Sequence, residues 1–312
     1  MSAMLSVVEP FASGLGGGAF WLIYDAKKDE YKVLDARETS PSQSSRDMFL
    51  DEHGKVINNK SKIGPLAAGI PGIPAAFGYV ANKYGSKKLQ VLLEPAYNAA
   101  KNGYPINDIY IKGAKYKKKW LTKYQETESI FLKNGEVPKK GWLLKQADLA
   151  KTLKIIMKEG SQSFYSGPYA TKMVESVRSG GGIWTEEDLY NYKIIEREVV
   201  RSTYKGINII APGLPSSGGL VLSNALNILS EFDLQQLKPV TQKHLIIEAL
   251  RRAYYERAIK MGDPDYMYES LDFLLTKQYA AKQRKSINLS LATSNRILEF
   301  EGPAYQGQGD DT

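Results

Sequence analysis

Residues Ser13–Pro41, SGLGGGAFWLIYDAKKDEYKVLDARETSP, decide how the rest of this chain is read. A glycine-rich turn leads into an apolar run, Ala19-Phe20-Trp21-Leu22-Ile23-Tyr24. A polar turn follows, then a second run ending in Val33-Leu34-Asp35 and a polar tip, Arg37-Glu38-Thr39-Ser40-Pro41. Two such runs bounded by polar turns predict a hairpin that carries one arginine to its edge. Gly14, Gly16, Gly17 and Gly18 permit positive φ and let another backbone or a ligand come close. Gly14 to Ala19 also fits the dinucleotide pattern G-x-G-x-x-G/A, which needs a strand before it and a helix after it. Here a strand-like aromatic run follows, so the dinucleotide reading is rejected.

Downstream, residues 42–63 are polar and read as a surface loop containing His53. Gly64–Pro74 is small and punctuated by proline and glycine, which suggests a tight strand or turn packed closely against other backbone. Helices are expected after Pro74 to about Tyr84, over 87–102, and from Gln146 to Glu159. Others are expected from Ala170 to Val177 and from Thr185, with threonine as N-cap and acids in the first turn. Residues 125–141 read as a loop. A strand pair through Val199-Val200 and Ile207–Ala211 precedes Pro215-Ser216-Ser217-Gly218-Gly219 and a helix to Phe232. Capping alone explains serine at that helix start; the alternative is an anion cradle on its free N–H groups. His244–Met261 reads as the longest helix, 271–281 as a short one, and 282–311 as polar and irregular.

Composition narrows the chemistry. The 312 residues suffice for one large domain or two smaller ones. Hydrophobic (43%) and charged (24%) fractions are ordinary for a globular chain. The absence of cysteine removes disulfides and thiol-based sites. No apolar run is long enough for a membrane-spanning helix, and Met1–Pro10 lacks the basic and apolar regions of a signal peptide. That segment reads as the end of a buried helix or strand, entered partway through. The net charge of +8 concentrates partly in Lys112, Lys115, Lys117, Lys118, Lys119 and Lys123, interleaved with Tyr116, Trp120 and Tyr124. A solvated helix face with aromatics turned inward is the first reading. An anionic surface is the second, though no nucleic-acid motif accompanies the charges.

Catalytic constellations are scarce. The two histidines, His53 and His244, have no ligand-like spacing, so neither a metal site nor a serine triad can be built. No cofactor motif stands. Arg37 reads on position alone as a surface ion pair, and otherwise as a bidentate carboxylate clamp. A threonine can act as nucleophile if it becomes a chain N-terminus, because its own α-amine then serves as base. That route needs no histidine, cysteine or metal.

The motifs, in order, resemble the large subunit of γ-glutamyltransferases (γ-glutamyl transpeptidases), members of the N-terminal-nucleophile (Ntn) hydrolase superfamily. They include Val8-Glu9-Pro10, Ser13–Gly18, Arg37-Glu38-Thr39-Ser40-Pro41, Asp47–Asp51, Gly69-Ile70-Pro71-Gly72, Tyr84-Gly85 and Glu94-Pro95-Ala96. Later come Gln146–Ala150, Phe164-Tyr165, Glu196-Arg197-Glu198, Pro215–Gly219 and Gly262-Asp263-Pro264-Asp265. Each is weak alone, but together they span nearly the whole chain. The resemblance implies an α/β (α+β) fold: residues 1–312 form one large-subunit segment of an αββα four-layer sandwich, completed by a small subunit from the same precursor. It implies autoproteolysis before a threonine, then γ-glutamyl transfer or hydrolysis through a γ-glutamyl-threonine acyl-enzyme. Glutathione or another γ-glutamyl compound is the expected donor, and water, an amino acid or a peptide the acceptor.

The same resemblance assigns Arg37 to the substrate α-carboxylate, and Thr312, after Gly309-Asp310-Asp311, to the nucleophile or its neighbour. No cofactor, metal, nucleic acid or membrane span is expected. Bacterial members of the family are usually periplasmic or secreted, which leaves the compartment of this chain open. The family's first helical segment and small subunit are not within these residues, so the isolated chain is expected to be inactive. Sibling readings are a poly-γ-glutamate hydrolase or transpeptidase and a glutaryl-cephalosporin acylase. A reading of another class is a non-catalytic remnant with a basic binding patch.

Overall fold

The structure, a computed structural model, describes residues 1–294. The opening stretch forms the expected hairpin. Strands β1 (Ala19–Asp25) and β2 (Glu30–Ala36) are hydrogen-bonded neighbours joined through residues 26–29. Asp29 closes the turn at φ 53°, a left-handed conformation that aspartate tolerates better than most residues. The Tyr24 and Tyr31 rings stack with centroids 4.6 Å apart. Burial deepens along β2: Glu30 is exposed, whereas Val33, Leu34, Asp35 and Ala36 are buried. The chain divides into two compact units, one of Met1–Ala19 with Ala36–Ile195, the other of Phe20–Asp35 with the chain from Glu196 onward.

The first unit is mainly helical: α1 (Ser2–Val8), α2 (Ile73–Lys83), α3 (Leu89–Asn102), α4 (Asp108–Leu121), α5 (Gln125–Phe131), α6 (Ala147–Glu159), α7 (Gly167–Ser179) and α8 (Glu186–Tyr190). Two short antiparallel strands, β3 (Tyr104–Pro105) and β4 (Leu143–Leu144), stand among them. α3 packs on α6 and on α1, and the buried Gln146 amide donates to the Val7 carbonyl at 2.7 Å, capping the end of α1. The apolar face of α4, Tyr110, Ala114 and Leu121, closes on Ile106, Leu132 and Leu144. Burying each leucine there contributes roughly 1.5–3 kcal/mol.

Three expectations in this unit need correction or refinement. Residues 125–131 are helical rather than loop, with Glu126 and Glu128 in the first turn, where they complement the helix dipole. The lysine-rich stretch is a solvated helix as expected, but Tyr116 is 68% exposed and does not turn inward. α4 already begins at Asp108, ahead of the first lysine at 112, because the Asn107 side chain accepts the Tyr110 N–H at 2.9 Å as an N-cap.

The second unit adds β5 (Ile195–Arg197) beside β2, and pairs β6 (Val199–Tyr204) antiparallel with β7 (Ile207–Pro212). Helices α9 (Gly218–Leu229), α10 (Pro239–Lys260) and α11 (Lys277–Lys285) follow. Val221, Ala225, Ile228 and Leu229 of α9 meet Leu245, Ala249 and Ala253 of α10 and Ala280 of α11. α10 begins before His244, at Pro239, a favoured first helical residue. The short helix expected over 271–281 is instead a 3-10 turn, Asp272–Leu275, followed by α11, which runs on into a segment expected to be irregular.

On α10, the buried Glu248 carboxylate accepts hydrogen bonds from Arg252 (2.6 Å), Arg251 (2.7 Å) and the Thr293 hydroxyl (2.5 Å) and N–H (3.1 Å). Burial opposes the Glu248 charge, yet the donors from Thr293 and Arg252 outweigh it and hold its pKa down at about 2.

Candidate functional site

Arg37 emerges directly after β2, and its side chain is 57% exposed with Nε 3.6 Å from Glu38 Oε2. Its backbone, by contrast, is fixed. The Tyr192 hydroxyl donates to the Arg37 carbonyl at 2.8 Å. Thr39 and Ile70 exchange backbone bonds, Ile70 N–H to Thr39 O at 2.8 Å and the reverse at 3.3 Å. Immediately past the tip, the Ser42 N–H donates to Asp188 Oδ1 at 2.8 Å. Asp188 also closes the capping box of α8 with Thr185. Partial burial works against the Asp188 charge, but the donors from Ser42 and Thr185 prevail and lower its pKa.

The innermost glycine of the opening stretch has its explanation here. A Cβ on Gly18 would come within 2.7 Å of the Ala36 carbonyl oxygen and of the Arg37 Cα. One on Gly69 would come within 2.9 Å of Glu38 Cβ. The Gly72 and Ile73 N–H groups both donate to the Gly17 carbonyl, at 3.0 and 3.1 Å. Two glycine-containing turns therefore clasp the 36–39 backbone, and what needs their small size is chain crossing chain. The expectation of close backbone packing over Gly64–Pro74 is met at Gly69 and Gly72.

In the second unit, two motif residues, Arg197 and Asp265, meet Asp35 of β2, far from both in sequence. Arg197 Nε donates to Asp35 Oδ2 at 2.7 Å, and Nη1 and Nη2 donate to the two oxygens of Asp265 at 3.1 and 3.0 Å. The hydrogen bonds that Arg197 donates to Asp265 lead the causes that raise the Arg197 pKa, and Arg197 in turn lowers that of Asp265. The Glu196-Arg197-Glu198 and Gly262–Asp265 motifs thus have a structural use, as a tie onto β2.

Other expectations fare variously. Ser217 makes no capping bond at α9; it accepts from Arg257 Nε at 2.8 Å, so serine capping does not explain that motif. His53 is exposed beside Glu52, and His244 Nε2 lies 2.7 Å from the Asn288 carbonyl oxygen. Thr312 lies outside the described residues. Among the described residues, no group of three or more histidine or acidic side chains is placed to hold a metal, and no helix is long and apolar enough to cross a membrane. The sequence reading passed over Tyr192. Its only local signal is its place just beyond the capped helix Thr185–Tyr190.

Comparison with solved structures assigns the fold to an Ntn-hydrolase class. A crystal structure of Helicobacter pylori γ-glutamyltranspeptidase superposes with a TM-score of 0.92 at 36% identity, over 99% of this chain and 89% of that one. Within that class, the family model for γ-glutamyltranspeptidase matches residues 1–312, and the chain belongs to that family. The glutathione hydrolase proenzyme of Escherichia coli strain K12 is 36% identical over 291 residues, covering 92% of this chain and 50% of that protein. A cephalosporin acylase from Bacillus halodurans superposes with a TM-score of 0.80 at 28% identity, over 92% of this chain and 54% of its own. The chain spans about half the length of the curated relatives it matches.

Proposed function

We propose that this chain provides the substrate-carboxylate half of a γ-glutamyltransferase or glutathione hydrolase, made as a proenzyme and completed by a small subunit. The observation that carries the reading is Arg37: an exposed guanidinium on an immobilised backbone, in a chain of this family. A guanidinium cannot be deprotonated at ordinary pH, and its fork matches the two oxygens of an α-carboxylate. Holding the glutamyl group by that end leaves its γ-carbonyl free for attack.

In this reading the proenzyme cleaves itself before the nucleophilic threonine, Thr312 or its neighbour. The freed α-amine takes the hydroxyl proton as the threonine oxygen attacks the γ-carbonyl carbon. The amide C–N bond breaks, the amine leaves with a proton, and an ester remains on the threonine. Water or an amino acid or peptide amine then attacks the ester and restores the hydroxyl.

Similarity to a cephalosporin acylase supports a second reading. A glutaryl group has the carboxylate but not the α-ammonium of a glutamyl group, so an arginine clamp serves either.

The test is release of dye from γ-glutamyl and glutaryl anilides by the full-length proenzyme. Preference for the γ-glutamyl compound is expected, and preference for the glutaryl compound would favour the acylase. Arg37→Ala should lower kcat/KM by about 30- to 1000-fold, equivalent to about 2–4 kcal/mol. An unchanged value overturns the arginine's role. Thr312→Ala should leave the precursor uncut; continued cleavage would move the nucleophile to the neighbouring residue.

A further inference from the structure

The side chain that orients the candidate clamp is not in the R-E-T-S-P segment. Tyr192 lies two residues beyond α8, and its hydroxyl donates to the Arg37 carbonyl at 2.8 Å. Its ring is held in turn: it stacks nearly parallel on Tyr165, at 10° and with centroids 5.5 Å apart. Tyr165 is buried and doubly anchored, donating to the Pro71 carbonyl at 2.7 Å and accepting the Ala75 N–H at 3.0 Å. Burial pushes its hydroxyl pKa well up, so it remains a neutral donor across the working pH range. Gly72 lies against the same spot, since a Cβ there would strike both the Tyr192 hydroxyl and the Ala36 carbonyl.

The chain at Arg37 is thus held by Gly18 against its Cα, by Gly72 against the Ala36 carbonyl, by the Thr39–Ile70 backbone pair two residues on, and by the Tyr192 hydroxyl. The outer face of this tyrosine pair lines an open cleft of about 580 Å³, together with Ala75, Gly78, Asn82 and Gln162. A phenylalanine at 192 would therefore keep the stack and lose only the hydroxyl.

We propose that Tyr192 is a positioning residue for substrate binding: by fixing the Arg37 carbonyl it sets the direction in which the guanidinium leaves the chain, and so the fit to the ligand carboxylate. The inference rests on Arg37 being the carboxylate clamp. A guanidinium at the end of a flexible stem needs its Cα held if both N–H groups are to meet both oxygens. Tyr192 acts on the clamp and touches no reacting atom.

The experiment is a double-mutant cycle on the full-length proenzyme: Tyr192→Phe, Arg37→Ala and the two combined, each scored for self-cleavage, thermal midpoint, KM and kcat with a γ-glutamyl anilide. Tyr192→Phe should raise KM about 3- to 10-fold, the range set by one net hydrogen bond, with kcat within about twofold and the midpoint lowered by no more than about 4 °C. Added to Arg37→Ala it should change nothing further, because the group it orients is gone. An equal loss in both backgrounds, or a KM unaltered by Tyr192→Phe while Arg37→Ala is impaired, overturns the inference and leaves the clamp standing. If Arg37→Ala itself is without effect, the clamp reading falls, and the role of Tyr192 with it.

Discussion

Two arginines, each followed by glutamate, are used in opposite ways. Arg197-Glu198 and Arg37-Glu38 look alike in the sequence. Arg197 is 13% exposed and makes three hydrogen bonds to two aspartates, one pair of them bidentate. Arg37 is 57% exposed, its Nε stands 3.6 Å from a Glu38 carboxylate oxygen, and its backbone carbonyl is held by the Tyr192 hydroxyl. In the first case the cation is consumed by structure. In the second the structure fixes the stem and leaves the head accessible, an arrangement suited to a ligand. Exposure and the partition of contacts between backbone and guanidinium separate the two; the residue type does not.

The largest expected effect tests the structural member of the pair. Arg197→Ala removes the guanidinium that meets the buried Asp35 carboxylate, itself 8% exposed, and ties it to Asp265, and should cost about 3–5 kcal/mol in denaturant unfolding. A loss under about 1 kcal/mol would mean that Arg197 is dispensable to the fold and would dissolve the contrast. Arg37→Ala should do the reverse, keeping unfolding stability within about 0.5 kcal/mol of wild type while activity falls as stated above.

An acid titration sharpens the same division. The folded pKa values of Glu248, Asp188 and Asp265 are depressed, Glu248 to about 2 from an ordinary 4.5. A depressed carboxylate contributes stability above its unfolded pKa and loses it as pH falls through the folded one. Stability should therefore be level above about pH 5 and decline between about pH 4.5 and 2. Arg197→Ala should remove the Asp265 share of that decline, and Arg37→Ala should leave the curve unchanged. The smallest effect belongs to the lysine-rich face of α4, where Lys115→Glu should shift unfolding by less than about 0.5 kcal/mol and leave turnover intact. A tenfold loss of activity there would revive the basic patch as a functional surface.

The hairpin was legible because its apolar runs and turn obey local rules, and so was the Thr185 cap, which needs only neighbours three residues apart. Helix 125–131 was missed because it buries no residue completely and offers no apolar stripe to read. Ser217 deceived because its hydroxyl is taken by Arg257, forty residues away, in preference to the helix N-terminus beside it. The Arg37 assignment came from the family resemblance; what surrounds Arg37 was invisible for the same reason as Ser217. Tyr192 lies 155 residues from the carbonyl it holds, and no spacing rule reaches that far.

The glycine run has a further consequence, for how this chain can evolve. Gly16 has no atom within 4 Å of where a side chain would begin, and Gly14 has only one, at the edge of contact. Gly18, four residues from Gly14, faces the chain of Ala36 and Arg37. A library saturating positions 14 to 18 should therefore show a border inside a single motif, with many substitutions surviving at one end and none at the other. Drift can rewrite the outer glycines freely, whereas the inner one is bound to the arginine it abuts, so the two should be inherited together.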